Sequence, residues 1–143
     1  MNFMIRELEE GDLEKDFLQT LSHLRDVNLD LDKAKEIFKK IKSDNYRKIF
    51  VAADESGKII GSITLNIEQK FIHKGGLVGH IEDVVTHKDF RGMGVGKAVM
   101  QKAIDAAKDA GCYKVILNCS EENFPFYEKL GFRKHGIEMR LDL

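Results

Sequence analysis

The chain has 143 residues, with 23 Lys and Arg against 24 Asp and Glu, 43% hydrophobic residues, one Pro, two Cys and no Trp. That length and composition fit one folded domain spanning residues 1–143 and exclude a disordered chain. A formal net charge of -1 excludes a bulk electrostatic grip on nucleic acid or an anionic membrane, and the longest apolar run, Ile49 to Ala53, falls well short of the roughly 18–20 residues of a membrane span.

Acidic residues stand where a signal peptide would continue its apolar segment, so the expectation is an intracellular, cytoplasmic protein. Phe3 to Glu7 is predicted as a short strand. Leu13, Phe17, Leu21 and Leu24 then recur at helical spacing, with Asp12 as N-cap. A second helix carries Leu31, Ala34, Ile37, Phe38 and Ile41 on one face. Ile49 to Ala52 is a strand, Asp54-Glu55-Ser56-Gly57 a hairpin turn, and the next strand alternates Ile63, Leu65 and Ile67 against Ser62, Thr64, Asn66 and Glu68. After Gly75-Gly76 comes a longer strand, about Val78 to Thr86. A helix from about Gly94 to Ala110 turns Val95, Val99, Ala103, Ala106 and Ala110 inward and stops at Gly111. Val115 to Cys119 is a strand, and about Asn123 to Leu130 a short helix ending at Gly131, with Pro125 in its first turn. Ile137 to Leu141 alternates again and should close the sheet. The order β-α-α-β-β-β-α-β-α-β predicts an α/β protein with one mixed sheet and helices packed on it.

Cys112 and Cys119 flank the run Val115 to Leu117. If that run is a strand, their Cα atoms lie roughly 20 Å or more apart, too far for a disulfide, which fits a reducing compartment. The five histidines, 23, 73, 80, 87 and 135, show no metal-ligand pairing, so no metal site is expected.

Three of the twelve glycines fall within Arg91-Gly92-Met93-Gly94-Val95-Gly96-Lys97, between a strand and a helix. Glycines there let the backbone approach a ligand, and the free N–H groups of a first helical turn suit an anion, above all phosphate. A Walker A loop fails by letter, because Arg91 stands where its first Gly belongs and Ala98 where Ser or Thr follows the Lys. A dinucleotide GxGxxG fails in both registers, at Lys97 and at Val99, and a meander precedes it instead of a βαβ unit. The spacing Arg91-x-x-Gly94-x-Gly96 does resemble the pyrophosphate loop of the GNAT superfamily of acyl-CoA N-acyltransferases, and the predicted element order agrees with that fold, a mostly antiparallel mixed sheet flanked by helices. The resemblance implies acetyl-CoA as cosubstrate. Its pyrophosphate would lie on the amides of residues 91–97, with Lys97 as an added cation. Its pantetheine arm would lie along Val84, Val85 and Thr86, and its thioester near an opening between that strand and the one at 115–119.

Denser similarity over residues 70–139, through Gly79-His80-Ile81-Glu82-Asp83, Gly111-Cys112-Tyr113-Lys114 and Phe126-Tyr127-Glu128-Lys129-Leu130-Gly131-Phe132, points to the members of that superfamily that acetylate the 2-amino group of glucosamine 6-phosphate on the way to UDP-N-acetylglucosamine. Acyl transfer from a thioester to an amine needs a neutral amine, a stabilised oxyanion and a protonated leaving thiolate. The resemblance gives Tyr127 the last role and places Glu82, Asp83 and Val84 at the sugar and its amine, with the N–H near Val84 on the oxyanion. Strand alternation sends Glu82 and Asp83 to opposite faces. Asn118 stands where many members carry an acid; an amide cannot act as a base, though it can accept a hydrogen bond from the amine. Deprotonation then runs through water, Glu82 or a backbone carbonyl. Asn118 and Tyr127 also border the cofactor. Lys70, Phe71, Ile72, His73, Tyr113, Lys114 and a C-terminal cation, Arg140, are implied at the sugar phosphate, with Arg25 at the pocket edge. The family implies a homodimer with the C-terminal strand packed across the interface. Two alternatives stay open: another amine substrate (a polyamine, an aminoglycoside or a protein amine), or an acyl-CoA-binding module without catalysis.

Overall fold

The computed structural model describes residues 2–143. Five strands form one sheet in the order of the sequence: β1 (Phe3–Glu7), β2 (Arg47–Asp54), β3 (Ile59–Gln69), β4 (Leu77–Thr86) and β5 (Cys112–Ile116). The first three neighbouring pairs are antiparallel and β4 with β5 is parallel, so the mixed, mostly antiparallel sheet is as expected. Among the described residues four α-helices of five or more residues accompany it, α1 (Phe17–Ser22), α2 (Leu31–Lys42), α3 (Val95–Ala110) and α4 (Phe124–Glu128), and a single irregular turn lies at Ile72–Gly75.

The alternation in β2 divides the core. Phe50 and Ala52 join Ile60, Ile63, Leu65 and Ile81 on the face covered by α3, through Val95, Val99, Met100, Ala103 and Ala107. Val51 and Ala53 join Leu8, Leu13, Phe17, Ala34 and Ile59 beneath α1 and α2. The inward stripe of α3 therefore continues from Ala103 to Ala107, with Met100 beside it; Ala106 is only half-buried and Ala110 is exposed. The last turn runs past the sheet, and Ala107 is the residue that meets the strand, at Gly79.

The first predicted helix is broken. Residues Glu10–Glu14 form a 3-10 turn, Asp16 takes a left-handed conformation (φ 67°, ψ 12°), and α1 starts only at Phe17. Asp12 caps from inside that turn. It is 1% exposed, accepts the Glu9 N–H at 2.8 Å and forms a paired bridge with both Arg6 nitrogens at 2.7 and 2.8 Å. Burial alone would raise its pKa, but the hydrogen bonds from Arg6 and Glu9 prevail and hold the carboxyl below its ordinary range. α2 follows its predicted spacing, and Asp30 caps it by accepting the Lys33 N–H at 2.8 Å.

Two further expectations fail. β5 occupies Cys112–Ile116, upstream of the predicted 115–119, because its pairing with β4 starts at Leu77 opposite Cys112. The C-terminal stretch forms no strand in this chain: Ile137, Met139, Leu141 and Leu143 stand 93, 92, 84 and 116% exposed. Alternation favours a strand but does not supply a partner, and β5 ends the sheet with its outer edge unpaired. Cys112 and Cys119 are both free thiols.

Candidate active site

The site grows from β4. One edge of this strand pairs with β3 from Leu77 to Thr86, but β5 matches the other edge only from Leu77 to His80, ending at Ile116. From Ile81 to Thr86 the backbone groups of that edge therefore have no strand partner and can bond an extended ligand. A bulge shapes the same segment. Ser62 faces Val85 and Thr64 faces Glu82, so Asp83 and Val84 together oppose Ile63, and Asp83 takes φ 50°. The bulge corrects the expectation that Glu82 and Asp83 part to opposite faces: both line one cavity of about 310 Å³ between the sheet and α1 and α2. Its floor is apolar, from Leu13, Phe17, Leu21, Ala34 and Phe38, and its polar wall adds Arg47, Ser62, Thr64 and Asn66. The Asn66 Oδ1 is buried there without a hydrogen-bond partner. These wall residues were missed as site candidates. The available signal was the polar face of β3, which a strand central to a sheet must turn toward something.

After Thr86 the chain makes a short 3-10 turn, Lys88–Phe90, and enters the glycine segment. The His87 Nδ1 accepts the Asp89 N–H at 3.2 Å, and the His23 Nδ1 accepts the Lys88 N–H at 3.0 Å, tying the end of α1 to this turn. Burial, then the charges of His23 and Lys58, push the His87 pKa below its ordinary value and favour the neutral ring that can accept. Gly92 and Gly94 take φ 77° and 83°. No side chain caps α3, so its first N–H groups are left for a ligand. Arg91, Gly92, Met93, Gly94 and Lys97 are exposed, while Val95 is buried and anchors the helix start. The Arg91 Nε reaches back to the Thr86 carbonyl at 3.4 Å.

The short helix expected at 123–130 is α4, Phe124–Glu128, preceded by a 3-10 turn, Glu121–Asn123, and it places Phe126 over the start of α3. The Phe126 ring and the Thr86 Oγ1 both lie 3.5 Å from where a Cβ on Gly96 would be. Tyr127 packs edge-on against Phe126 and Phe132, with ring centroids at 5.0 and 6.1 Å. Burial, and after it the neighbouring Cys119 sulfur, raises the phenol pKa above its ordinary value, which keeps the hydroxyl protonated. Asn118 is exposed just past the end of β5, on the other side of the opening from β4.

At the opposite end of β4, the His73 ring stacks on Tyr113 at 3.9 Å and Lys114 Nζ stands 5.7 Å from the Tyr113 centroid. Lys70 Nζ pairs with Glu68 at 3.0 Å, while Phe71 and Ile72 are exposed. The structure thus joins residues 70–73 to 113–114, but not to two other predicted cations. Arg25 is exposed in the loop after α1 and bonds the Leu24 carbonyl at 3.0 Å. Arg140 pairs with Asp142 at 2.7 Å on the uncovered tail. Among the described residues no group of three or more His, Cys, Asp or Glu could hold a metal, and no helix is long and apolar enough to cross a membrane.

The Acetyltransferase (GNAT) family model matches residues 5–132. The glucosamine 6-phosphate N-acetyltransferase of Trypanosoma brucei brucei is 43% identical, over 97% of this chain and 95% of its own. That of Arabidopsis thaliana is 41% identical over 96% of this chain and 94% of its own. The crystal structure of glucosamine-6-phosphate N-acetyltransferase from Arabidopsis thaliana superposes with a TM-score of 0.96 and 39% identity, covering 99% of both chains.

Proposed function

The chain belongs to the acetyltransferase (GNAT) family, and from that premise we propose that it transfers the acetyl group of acetyl-CoA to the 2-amino group of glucosamine 6-phosphate, on the route to UDP-N-acetylglucosamine. Near-full-length identity to relatives of that name carries the reading. The open edge of β4, running into an uncapped helix start, supports it.

In this reading residues 1–143 work as one acetyltransferase domain. Acetyl-CoA lays its pantetheine along Val84, Val85 and Thr86, and its pyrophosphate on the amides from Gly92 to Lys97. The sugar amine gives up a proton through Glu82 or a water beside it, because Asn118 has no basic oxygen to take it. The amine nitrogen attacks the thioester carbonyl carbon, and the oxyanion accepts a hydrogen bond from the Val84 N–H. The attacking nitrogen, now cationic, gives its second proton to the same carboxylate or water, and the intermediate collapses to the amide with cleavage of the carbon–sulfur bond. The sulfur takes the Tyr127 proton, and the phenolate is then reprotonated from solvent. The raised phenol pKa keeps this donor charged with its proton at neutral pH, so the alkaline limb of kcat should lie above the ordinary phenol range.

We further propose a cytoplasmic homodimer. Four alternate apolar residues stand bare on the tail, and the outer edge of β5 is free to receive a partner's tail as a sixth strand. The basic cluster around Lys70, His73 and Lys114 lies five or more residues along β4 from Glu82, roughly 17 Å or more at strand rise and beyond the span of one hexosamine phosphate. A second copy brings its own cluster to complete the site.

Glu82 and Asp83 in one cavity favour a second reading, a cationic polyamine as acceptor. The test is thiol release from acetyl-CoA by the purified protein with a panel of amines. Release with glucosamine 6-phosphate and not with a polyamine is expected; the reverse would overturn the first reading, and no release with any amine would favour a binding module. Tyr127→Phe should lower kcat about 100-fold or more while leaving acetyl-CoA affinity within twofold. A sedimenting species of one chain would exclude the dimer.

A further inference from the structure

The turn between β3 and β4 is held in a conformation that its own residues disfavour. His73 (φ 54°, ψ 41°) and Lys74 (φ 57°, ψ 41°) are both left-handed, followed by Gly75 at φ 72°. Each non-glycine residue there costs about 1–2 kcal/mol, so two in succession need an external restraint. The side-chain amide of Gln69 supplies it. Its Nε2 donates to the Gly75 carbonyl at 2.8 Å and the Lys70 carbonyl at 3.0 Å, with the Gly76 carbonyl at 3.4 Å. The carbonyls of Phe71, Ile72 and Gly76 also accept backbone N–H groups of Gly75, Gly76 and Lys70, at 3.0, 3.2 and 2.9 Å. From the outside the His73 ring is braced flat on Tyr113.

With its carbonyls engaged inward, the turn has free donors on its other side. Among the described residues, the N–H groups of Ile72, His73 and Lys74 donate to no protein group. Only His73 and Lys74 leave the right-handed region within Ile72–Lys74, so a right-handed Ile72 is followed directly by a left-handed His73, which makes the N–H groups of Ile72, His73 and Lys74 converge, the geometry of a backbone nest for an anion. Lys70 and Lys74 flank it.

We propose that Gln69 is a positioning residue for the phosphate of the sugar substrate: it locks the 70–76 turn in the form whose N–H groups receive that phosphate, and so sets the preference for a phosphorylated amino sugar over a free one. This rests on the glucosamine 6-phosphate reading above. Gln69 touches no substrate itself. Replacing its amide by a carboxylate of the same shape turns a donor to three carbonyls into an acceptor facing them, which opens the turn.

The experiment measures steady-state kinetics of the wild type, Gln69→Glu and Gln69→Lys with glucosamine 6-phosphate, with unphosphorylated glucosamine and with acetyl-CoA varied. For Gln69→Glu a tenfold or larger rise in KM for the phosphorylated sugar is expected. Its kcat, its KM for acetyl-CoA and its kcat/KM on glucosamine should stay within twofold of the wild type. Gln69→Lys keeps an N–H donor at this position and should stay within threefold on the phosphorylated sugar. Unchanged KM in Gln69→Glu would overturn the proposal, as would an equal loss on both sugars, which marks a merely structural role. A wild type inactive on glucosamine 6-phosphate would instead sink the reading beneath it. The acetyl-CoA KM reports whether each variant folds.

Discussion

The two ends of β4 each carry a left-handed turn, and the two are built on opposite plans. At the C-terminal end the left-handed positions are Gly92 and Gly94, and nothing lies within 4 Å of where a Cβ on either would be. Glycine adopts that conformation without restraint, so the turn is self-sufficient. At the N-terminal end the left-handed positions include His73 and Lys74, and the conformation depends on the Gln69 amide and on a Tyr113 ring brought in from a different strand. One turn takes its shape from its own residue types, the other from its surroundings. Damage to the first should therefore stay local, and damage to the second should come from residues that never meet a ligand.

The sharpest way to break this contrast is Gly76→Ala. Its φ is an ordinary -71°, so backbone freedom is not at stake. A Cβ there would lie 2.7 and 2.8 Å from two Tyr113 ring carbons and 3.1 Å from the His73 carbonyl oxygen. The ring is already braced against His73 and has little room to retreat. A loss of about 2–3 kcal/mol in urea unfolding is expected, as for an overpacked core site, with a raised KM for glucosamine 6-phosphate and unchanged acetyl-CoA affinity. A loss below about 0.5 kcal/mol would mean that the Tyr113 brace is not part of the turn's architecture.

Gly94→Ala makes the complementary case. Space is open, but φ is 83°, and a side chain there costs about 1–2 kcal/mol. That strain is relieved by moving the first N–H groups of α3, so acetyl-CoA should bind about tenfold more weakly in a calorimetric titration, the equivalent of about 1.4 kcal/mol. The KM for the sugar phosphate should not change. A variant that weakens both ligands equally would show that the two turns are coupled through β4 and are not independent.

The same contrast explains what was legible in the sequence. The glycine turn, the alternation of β3 and the helical spacing of α2 are written in adjacent residue types, and each appears in the fold where it was predicted. Tyr127 and Tyr113 could be placed only by resemblance. What escaped was set by partners distant in sequence. The bulge that gathers Glu82 and Asp83 into one cavity comes from register against β3, and no pattern within Gly79–Thr86 announces it. The left-handed His73 and Lys74 carry no glycine signal. Residues 137–141 show the reverse error, a strand pattern that pairs with no strand among the described residues.

A smaller effect, of opposite sign, is expected where the borrowed conformation can be made intrinsic. Lys74 is exposed and left-handed. Lys74→Gly removes a conformational cost of about 1–2 kcal/mol and adds an entropic one of about 0.5–1 kcal/mol, for a net stabilisation of about 0.5 kcal/mol. Differential scanning calorimetry should show a slightly higher Tm. A lower Tm would mean that the Lys74 side chain contributes more than the strain it carries.

Gly96→Ala is expected to do the least, although Gly96 stands in the same short motif as Gly94. It lies inside α3, where a side chain meets no left-handed restriction, and its Cβ would rest 3.5 Å from Phe126 and from the Thr86 Oγ1, ordinary contact distances. Alanine gains up to about 1 kcal/mol of helix propensity over glycine, and crowding against Phe126 should return part of it. Stability within about 0.5 kcal/mol of the wild type follows. Acetyl-CoA affinity then decides what the glycine is for. If it stays within threefold, Gly96 serves the packing of α3 under Phe126 and tolerates alanine, while Gly92 and Gly94 carry the conformational requirement. If it falls tenfold while stability holds, the ligand approaches Gly96 more closely than any Cβ permits, and the self-sufficient turn needs its third glycine for space and not for shape.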